Sequence, residues 1–217
     1  LTELQKYRAG TLSFSDFVDF KRTVFHHLLP YSAAALIDPD YGLPALLHSG
    51  LPVNRGLLAP LEVTDYNPHP SKRATNFIEG WDVAKLQRAG FNGAKLLLYF
   101  HPEARNAGAQ TEIVDRVVEQ CRQHQIPLFL EPICYSLDPE HSMSSAERRQ
   151  VVVESARHFS QRGVDILKLE FPIDPAHEKD ETVWAKALAE LNAVCTVPWA
   201  LLSAGASFEI FLRQTEL

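Results

Sequence analysis

The stretch Gly163-Val-Asp-Ile-Leu-Lys-Leu-Glu-Phe-Pro-Ile-Asp174 decides how this chain is read. From Val164 to Phe171 it is short and apolar with branched side chains, and Pro172 closes it. That is the pattern of a strand buried on both faces, as in an all-parallel sheet. Yet Lys168 stands in its middle, and Glu170 follows two residues later on the same face. Lysine and glutamate are almost never fully buried unless something pairs with them. A strand that carries an ammonium into a core either sacrifices stability or holds a nucleophile. The second reading requires an acid/base partner nearby and something that keeps the amine neutral.

Working outward, comparable strand-like runs begin near residues 56, 93, 126 and 197, which with 164 gives spacings of 37, 33, 38 and 33 residues. That is the pitch of a βα unit, so the sheet is expected to be parallel with crossover connections. An earlier strand over 33–38 makes six units. The expected helices cover 81–89, ended by Gly90, then 110–124, about 181–193, and a segment starting near Ser207. Two capping boxes, Ser13 with Asp16 and Ser144 with Glu147, open further helices that end at Pro30 and near Gly163. The first of these predicts a buried stripe of Phe17, Val18, Val24, Phe25 and Leu28. Residues 1–10 read as the tail of a polar helix, and 44–48 as a short one. The strands extend over 56–64, 93–100, 126–133, 164–171 and 197–203. The polar, proline-containing loop 65–75 is long enough to suggest a functional segment.

Composition narrows the function. The chain has 217 residues, 46% of them hydrophobic and 22% charged, with a net charge of −6. No basic run exceeds two residues, which argues against nucleic acid or a membrane surface as partner. The three cysteines, Cys121, Cys134 and Cys195, are far apart and contain no Cys-x-x-Cys, so they read as buried thiols of a reducing, cytosolic compartment. No run approaches the length of a membrane span, and no signal peptide is evident. Without a linker or compositional break, residues 1–217 read as one domain. A closed (β/α)8 barrel takes eight units and about 250 residues, so the expectation is a TIM barrel with one unit absent from each end of this sequence. The rival is an open doubly wound sheet, which usually carries a Gly-x-Gly-x-x-Gly turn, and none occurs here.

Catalytic groups of a barrel project from the C-terminal ends of several strands. Here Lys95, Glu131 and Lys168 lie on three strands, with Asp38 ending an earlier one and Glu62 on another. The bland alternative is that each is solvated at the mouth or paired. A lysine attacks a carbonyl only as the neutral amine, although its ordinary pKa is ~10.4. Burial and a neighbouring ammonium both disfavour the charged form, so Lys95 and Lys168 could act on each other, with Glu131 shuttling protons. Leu201-Leu-Ser-Ala-Gly205 leads directly into a helix, and free N–H groups around Ser203 and Gly205 suit a phosphate. His-x-His, His-Glu-x-x-His, Gly-x-Ser-x-Gly and Walker motifs are all absent, so neither a metal nor a cofactor is expected. His26-His27 and Arg148-Arg149 read as cap or solvated pairs.

Five segments in order, 35–42 (Ala-Leu-Ile-Asp-Pro-Asp-Tyr-Gly), 93–99 (Gly-Ala-Lys-Leu-Leu-Leu-Tyr), 127–132 (Pro-Leu-Phe-Leu-Glu-Pro), 164–172 (Val-Asp-Ile-Leu-Lys-Leu-Glu-Phe-Pro) and 202–205 (Leu-Ser-Ala-Gly), resemble the tagatose 1,6-diphosphate aldolase family, which includes sulfofructose-phosphate aldolases. The resemblance implies a metal-free class I aldolase on a (β/α)8 barrel, reversibly cleaving a phosphorylated ketose. It makes Lys168 the imine-forming lysine, Glu131 the acid/base and Lys95 the auxiliary lysine. Asp38, Ser203 and Gly205 become substrate-binding, the last two for a phosphate. The family's first and eighth strands have no counterpart in this sequence. Two alternatives stand beside this reading: a Schiff-base lyase for another carbonyl substrate, and a catalytically silent barrel that binds a sugar phosphate. The expected partner is a phosphorylated small molecule, with homo-oligomerisation left open.

Overall fold

The computed structural model describes residues 12–50, 54–63 and 68–217. The expected helix tail at 1–10 and part of the 65–75 loop lie outside the described residues. Six strands form one sheet: β1 (Ala34–Leu36), β2 (Gly56–Pro60), β5 (Gly93–Tyr99), β6 (Leu128–Ile133), β7 (Ile166–Glu170) and β8 (Trp199–Leu202). They pair in that order and every pairing is parallel. Between them run the helices α1 (Phe14–Leu28), α2 (Gly42–Leu47), α3 (Val83–Arg88), α4 (Ala107–His124), α5 (Ser145–Ser160), α6 (Glu181–Val194) and α7 (Phe208–Glu216), with α1 leading into β1 and α7 following β8. This is the strand-and-helix alternation of a (β/α)8 barrel, and the described sheet has β1 and β8 at its two edges.

Alternation along the central strands separates two environments. On one face, Leu96 and Leu98 of β5, Leu128 and Leu130 of β6, and Leu167 and Leu169 of β7 are at most 1% exposed. They pack in one cluster with Val114 and Val117 of α4, Val152, Ala156 and Phe159 of α5, and Leu191 of α6. Fully burying a leucine contributes about 1.5–3 kcal/mol, so this layer supplies the stability against which a charged opposite face can be maintained. A second cluster of Phe171, Ile173, Trp184, Ala187 and Leu188 seats α6 at the C-terminal end of β7.

Capping follows the sequence closely. Ser13 and Asp16 form the reciprocal box at α1, and Ser144 Oγ accepts from the Glu147 N–H at α5. Gly90 and Gly163 adopt φ of 86° and 80°, the left-handed region that suits a helix C-terminus. Two expectations are corrected. Leu28 was placed on the buried stripe of α1, but it is 62% exposed, because Leu29, in the 3₁₀ turn Leu29–Tyr31, takes the inward position. The strand expected over 56–64 is broken: β2 ends at Pro60, and after Leu61 the chain departs as β3 (Glu62–Val63), which pairs antiparallel with β4 (Asn76–Phe77). Leu61 is the joint, since its N–H donates to the Lys95 carbonyl while its own carbonyl accepts from Ile78.

Candidate active site

Strand register assembles the site. Lys95 of β5 is the partner of Pro60 on β2 and of Phe129 on β6. Glu131 stands two residues beyond Phe129, at the next same-face position of β6, and Glu62 stands two residues beyond Pro60, just past the end of β2. Lys95 is thereby flanked by an acid on either side. It donates to Glu62 Oε1 at 2.5 Å and lies 3.0 Å from Glu131 Oε2. The pairing of Phe129 with Ile166 and of Leu130 with Leu167, continued one residue, brings Lys168 beside Glu131. Lys168 Nζ lies 3.1 Å from Glu131 Oε1. One carboxylate therefore bridges the two lysines, using a different oxygen for each.

Burial differs along this row. The side chains of Glu62, Glu131 and Lys95 are 4%, 5% and 8% exposed, whereas Lys168 is 31% exposed. Lys168 is thus the reachable end of a buried charge cluster. The four groups carry formal charges that cancel, two ammoniums against two carboxylates, which is how a charged cluster tolerates a strand interior. The expectation that the lysines act directly on each other takes a more specific form: Glu131 separates them, and Glu62 faces Lys95 alone. Burial raises the Glu62 carboxyl above the ordinary glutamate range, although the charge and hydrogen bond of Lys95 oppose this.

Glu170, the other charge of the opening stretch, is held by a separate network. It accepts from the Cys134 N–H at 2.7 Å and from Arg148 Nη2 at 2.9 Å, while Arg148 Nε donates to the Phe171 carbonyl at 3.1 Å. Reading Arg148 as solvated is therefore wrong: it ties the first turn of α5 to the end of β7 from a largely buried position. Its neighbour Arg149 pairs with Glu190 near the surface. The signal that could have revealed Arg148 was Glu170 itself, a second acid on a buried strand that also required a cation.

The remaining candidates fall on either side of this centre. Asp38 lines a cavity of about 440 Å³ with Asp40, Glu62 and Lys95. Its carboxylate is engaged by Lys21 and by the N–H groups of Tyr41 and Gly42. Burial would raise its pKa, but these donors outweigh burial and hold it below the ordinary range. Ser203 and Gly205 lie in the turn just beyond the paired residues Glu170 and Leu202. They border a second cavity of about 490 Å³ that also takes in Lys179, Arg148 and Glu170. Ala204 and Gly205 both have positive φ, 48° and 75°, and Ser207 caps α7 by accepting from Ile210 N–H. Among the described residues, no group of three or more His, Cys, Asp or Glu side chains is arranged to hold a metal ion, and no helix is long and apolar enough to cross a membrane.

The sequence pattern of DeoC/LacD family aldolases matches residues 5–216. A tagatose 1,6-diphosphate aldolase of Listeria monocytogenes is 31% identical over 236 aligned positions, covering 100% of this chain and 68% of the relative. Tagatose 1,6-diphosphate aldolase 1 of Streptococcus mutans is 28% identical, covering 96% of this chain and 68% of its own length. Among solved structures, a Schiff-base-forming fructose-1,6-bisphosphate aldolase superposes with a TM-score of 0.58 at 17% identity, covering 83% of this chain and 64% of that one. An archaeal fructose-1,6-bisphosphate aldolase, captured with its catalytic lysine in a carbinolamine, gives a TM-score of 0.59 at 15% identity, covering 92% and 68%. The chain thus spans about two thirds of the length of these relatives, and the structural matches establish the barrel fold. With the pattern covering nearly its whole length, this chain belongs to the DeoC/LacD family of aldolases.

Proposed function

We propose that this aldolase reversibly cleaves a phosphorylated ketose, such as tagatose 1,6-bisphosphate or a close relative, through an imine on Lys168. The observation that carries the reading is the bridge made by Glu131, 3.1 Å from Lys168 and 3.0 Å from Lys95. The Lys168 amine adds to the ketone carbonyl, and Glu131 passes on the proton with which the carbinolamine hydroxyl leaves as water. The resulting iminium draws electrons from the adjoining carbon–carbon bond, while Glu131, now a carboxylate, takes the proton from the substrate hydroxyl whose carbon becomes the aldehyde. The enamine left on Lys168 is then protonated and hydrolysed. Lys95 holds the second oxygen of Glu131 and keeps the first turned towards Lys168. The iminium itself is the electron sink, so the residues need no divalent cation to polarise the carbonyl.

Substrate binding is assigned on either side of this centre. The turn at Ser203 and Gly205 opens onto the 490 Å³ cavity that Lys179 also lines, which supports a phosphate there. Asp38 faces the smaller cavity beside Lys95, a place for substrate hydroxyl groups. The test is reductive trapping. Borohydride added with dihydroxyacetone phosphate is expected to leave a stable secondary amine on the peptide containing Val164 to Phe171. Lys168→Ala is expected to abolish both the label and turnover. A label on Lys95 alone would exchange the roles of the two lysines. No label with any ketose phosphate that demonstrably binds would make the protein a silent sugar-phosphate binder.

A further inference from the structure

Glu62 has one hydrogen-bonded oxygen and one bare one. Oε1 accepts from Lys95 at 2.5 Å, whereas Oε2 is buried and makes no hydrogen bond of good geometry among the described residues; the nearby N–H groups of Glu62 and Leu97 favour the charged form but are outweighed by burial. An ionised carboxylate with a bare, buried oxygen is costly, and protonation removes the charge that makes it so. Glu62 also ends a row of three contacts: Lys168 to Glu131 at 3.1 Å, Glu131 to Lys95 at 3.0 Å, and Lys95 to Glu62 at 2.5 Å. Each contact is within proton-transfer distance.

Resting on the imine reading, we propose that Glu62 stores the proton that Lys168 must give up to become a nucleophile, and returns it when the imine forms. Two arrangements of the cluster then carry the same net charge of zero. In one, Lys168 is an ammonium and Glu62 a carboxylate; in the other, Lys168 is an amine and Glu62 a carboxyl. Lys95 stays cationic and Glu131 anionic in both. Imine formation balances within the second arrangement. The amine, the ketone carbonyl and the Glu62 carboxyl become a protonated iminium, one water and the Glu62 carboxylate. The nitrogen–carbon bond forms, the carbonyl oxygen leaves as water, and the third hydrogen comes from Glu62 by way of Lys95 and Glu131. No proton is exchanged with solvent.

The surrounding groups are compatible with this role. Asp38, paired with Lys21, and Asp40 share the cavity on one side of Glu62. On the other side, Arg73 and Tyr99 border a small recess with Glu62, and the Arg73 guanidinium lies over the Tyr99 ring at 4.3 Å. That cation opposes protonation, and its Nε donates to the Pro68 carbonyl. Burial is the largest influence on Glu62 and favours its protonated form.

The experiment compares the pH dependence of borohydride trapping in the intact wild-type protein and in Glu62→Gln, with dihydroxyacetone phosphate as the ketone. With an internal proton store, the wild-type trapping rate is flat across roughly pH 6–8. In Glu62→Gln, Lys168 must release its proton to solvent, so the rate climbs by about tenfold per pH unit. Glu62→Asp is expected to recover much of the flat profile, which a merely structural role would not predict. Parallel profiles for wild type and Glu62→Gln would overturn the proton store and leave the imine reading intact. Absence of a wild-type label at every pH would overturn the imine reading instead. Should Glu62→Gln fail to fold, the infrared difference spectrum of the wild type decides. A protonated-carboxyl band lost as the imine forms supports the store, and no such loss refutes it.

Discussion

Replacing Glu131 by glutamine changes one oxygen to an NH2 group and tests the centre of the site. In the wild type, both oxygens of this side chain face ammonium groups, at 3.0 and 3.1 Å. A glutamine can accept from only one lysine and must turn its own donors towards the other. Removing one partner of a fully buried ion pair costs about 3–5 kcal/mol. Here the loss is smaller for two reasons. Lys95 keeps Glu62 at 2.5 Å, and Lys168, 31% exposed, can turn to water. We therefore expect a loss of about 1–3 kcal/mol in stability, with Tm falling by about 2–4 °C for each kcal/mol in a chain of this size. Catalysis should lose far more. General acid–base transfer contributes about 10²–10⁴-fold, or ~3–5 kcal/mol of barrier. Single-turnover trapping should still detect a slowly formed imine, while steady-state cleavage should fall by at least about a hundredfold. Cleavage within threefold of wild type, in a variant whose melting curve remains cooperative, would refute the assignment of Glu131 as the acid/base.

Other expectations are more local. Arg148→Met removes the cation that Glu170 accepts from and leaves a buried carboxylate with the Cys134 N–H; a loss of about 2–4 kcal/mol is expected by chemical denaturation. Gly93→Ala places a Cβ 2.6 Å from Leu58 Cδ2 and 3.3 Å from the Phe129 ring, an overpacking worth about 1–3 kcal/mol, read from the same denaturation curves. Asp38 has a lowered pKa in the folded state, so its contribution is present above the unfolded value and is lost as pH falls through the folded one. Asp38→Asn should accordingly be less stable than wild type at neutral pH, and the two melting temperatures should begin to draw together only as pH falls below about 4. Burial pushes the Cys121 thiol up to about 12 and the Cys195 thiol to about 11, so neither should react with iodoacetamide at neutral pH in the native protein, as mass spectrometry can check. Turnover should survive EDTA, because the proposed electron sink is the iminium.

The recurrence of apolar, strand-like runs every 33 to 38 residues made the parallel sheet legible, since that is the length of a strand with its crossover helix. Lys95, Glu131 and Lys168 were legible as charges on three such strands. Pair geometry was not legible. Nothing local to Lys95 reveals that Glu62 lies one step beyond its β2 partner, because that follows from the register of two strands separated by 33 residues of chain. The break after Pro60 was hidden for a related reason: residues 56–63 have a continuous strand composition, and only the remote partner, residues 76–77, pulls the end away. Arg148 was misread because a helix's first turn is ordinarily solvated, whereas here Glu170 draws that turn inward.

Lys95, Glu131 and Lys168 share one face of three neighbouring strands, and Glu62 joins them from just beyond β2, which makes the site a matter of parity. A one-residue insertion or deletion within β2, β5, β6 or β7 would turn every later side chain of that strand to the other face. A charge would enter the leucine layer and a leucine would enter the charge row. A change of two residues would preserve the face but displace the group by about 6.6 Å along the strand, beyond the reach of a 3 Å contact. Length variation can therefore accumulate only outside these strands, in the connections whose residues carry no address in the charge row. The chemistry is anchored less by any single residue than by four counts that must stay in step.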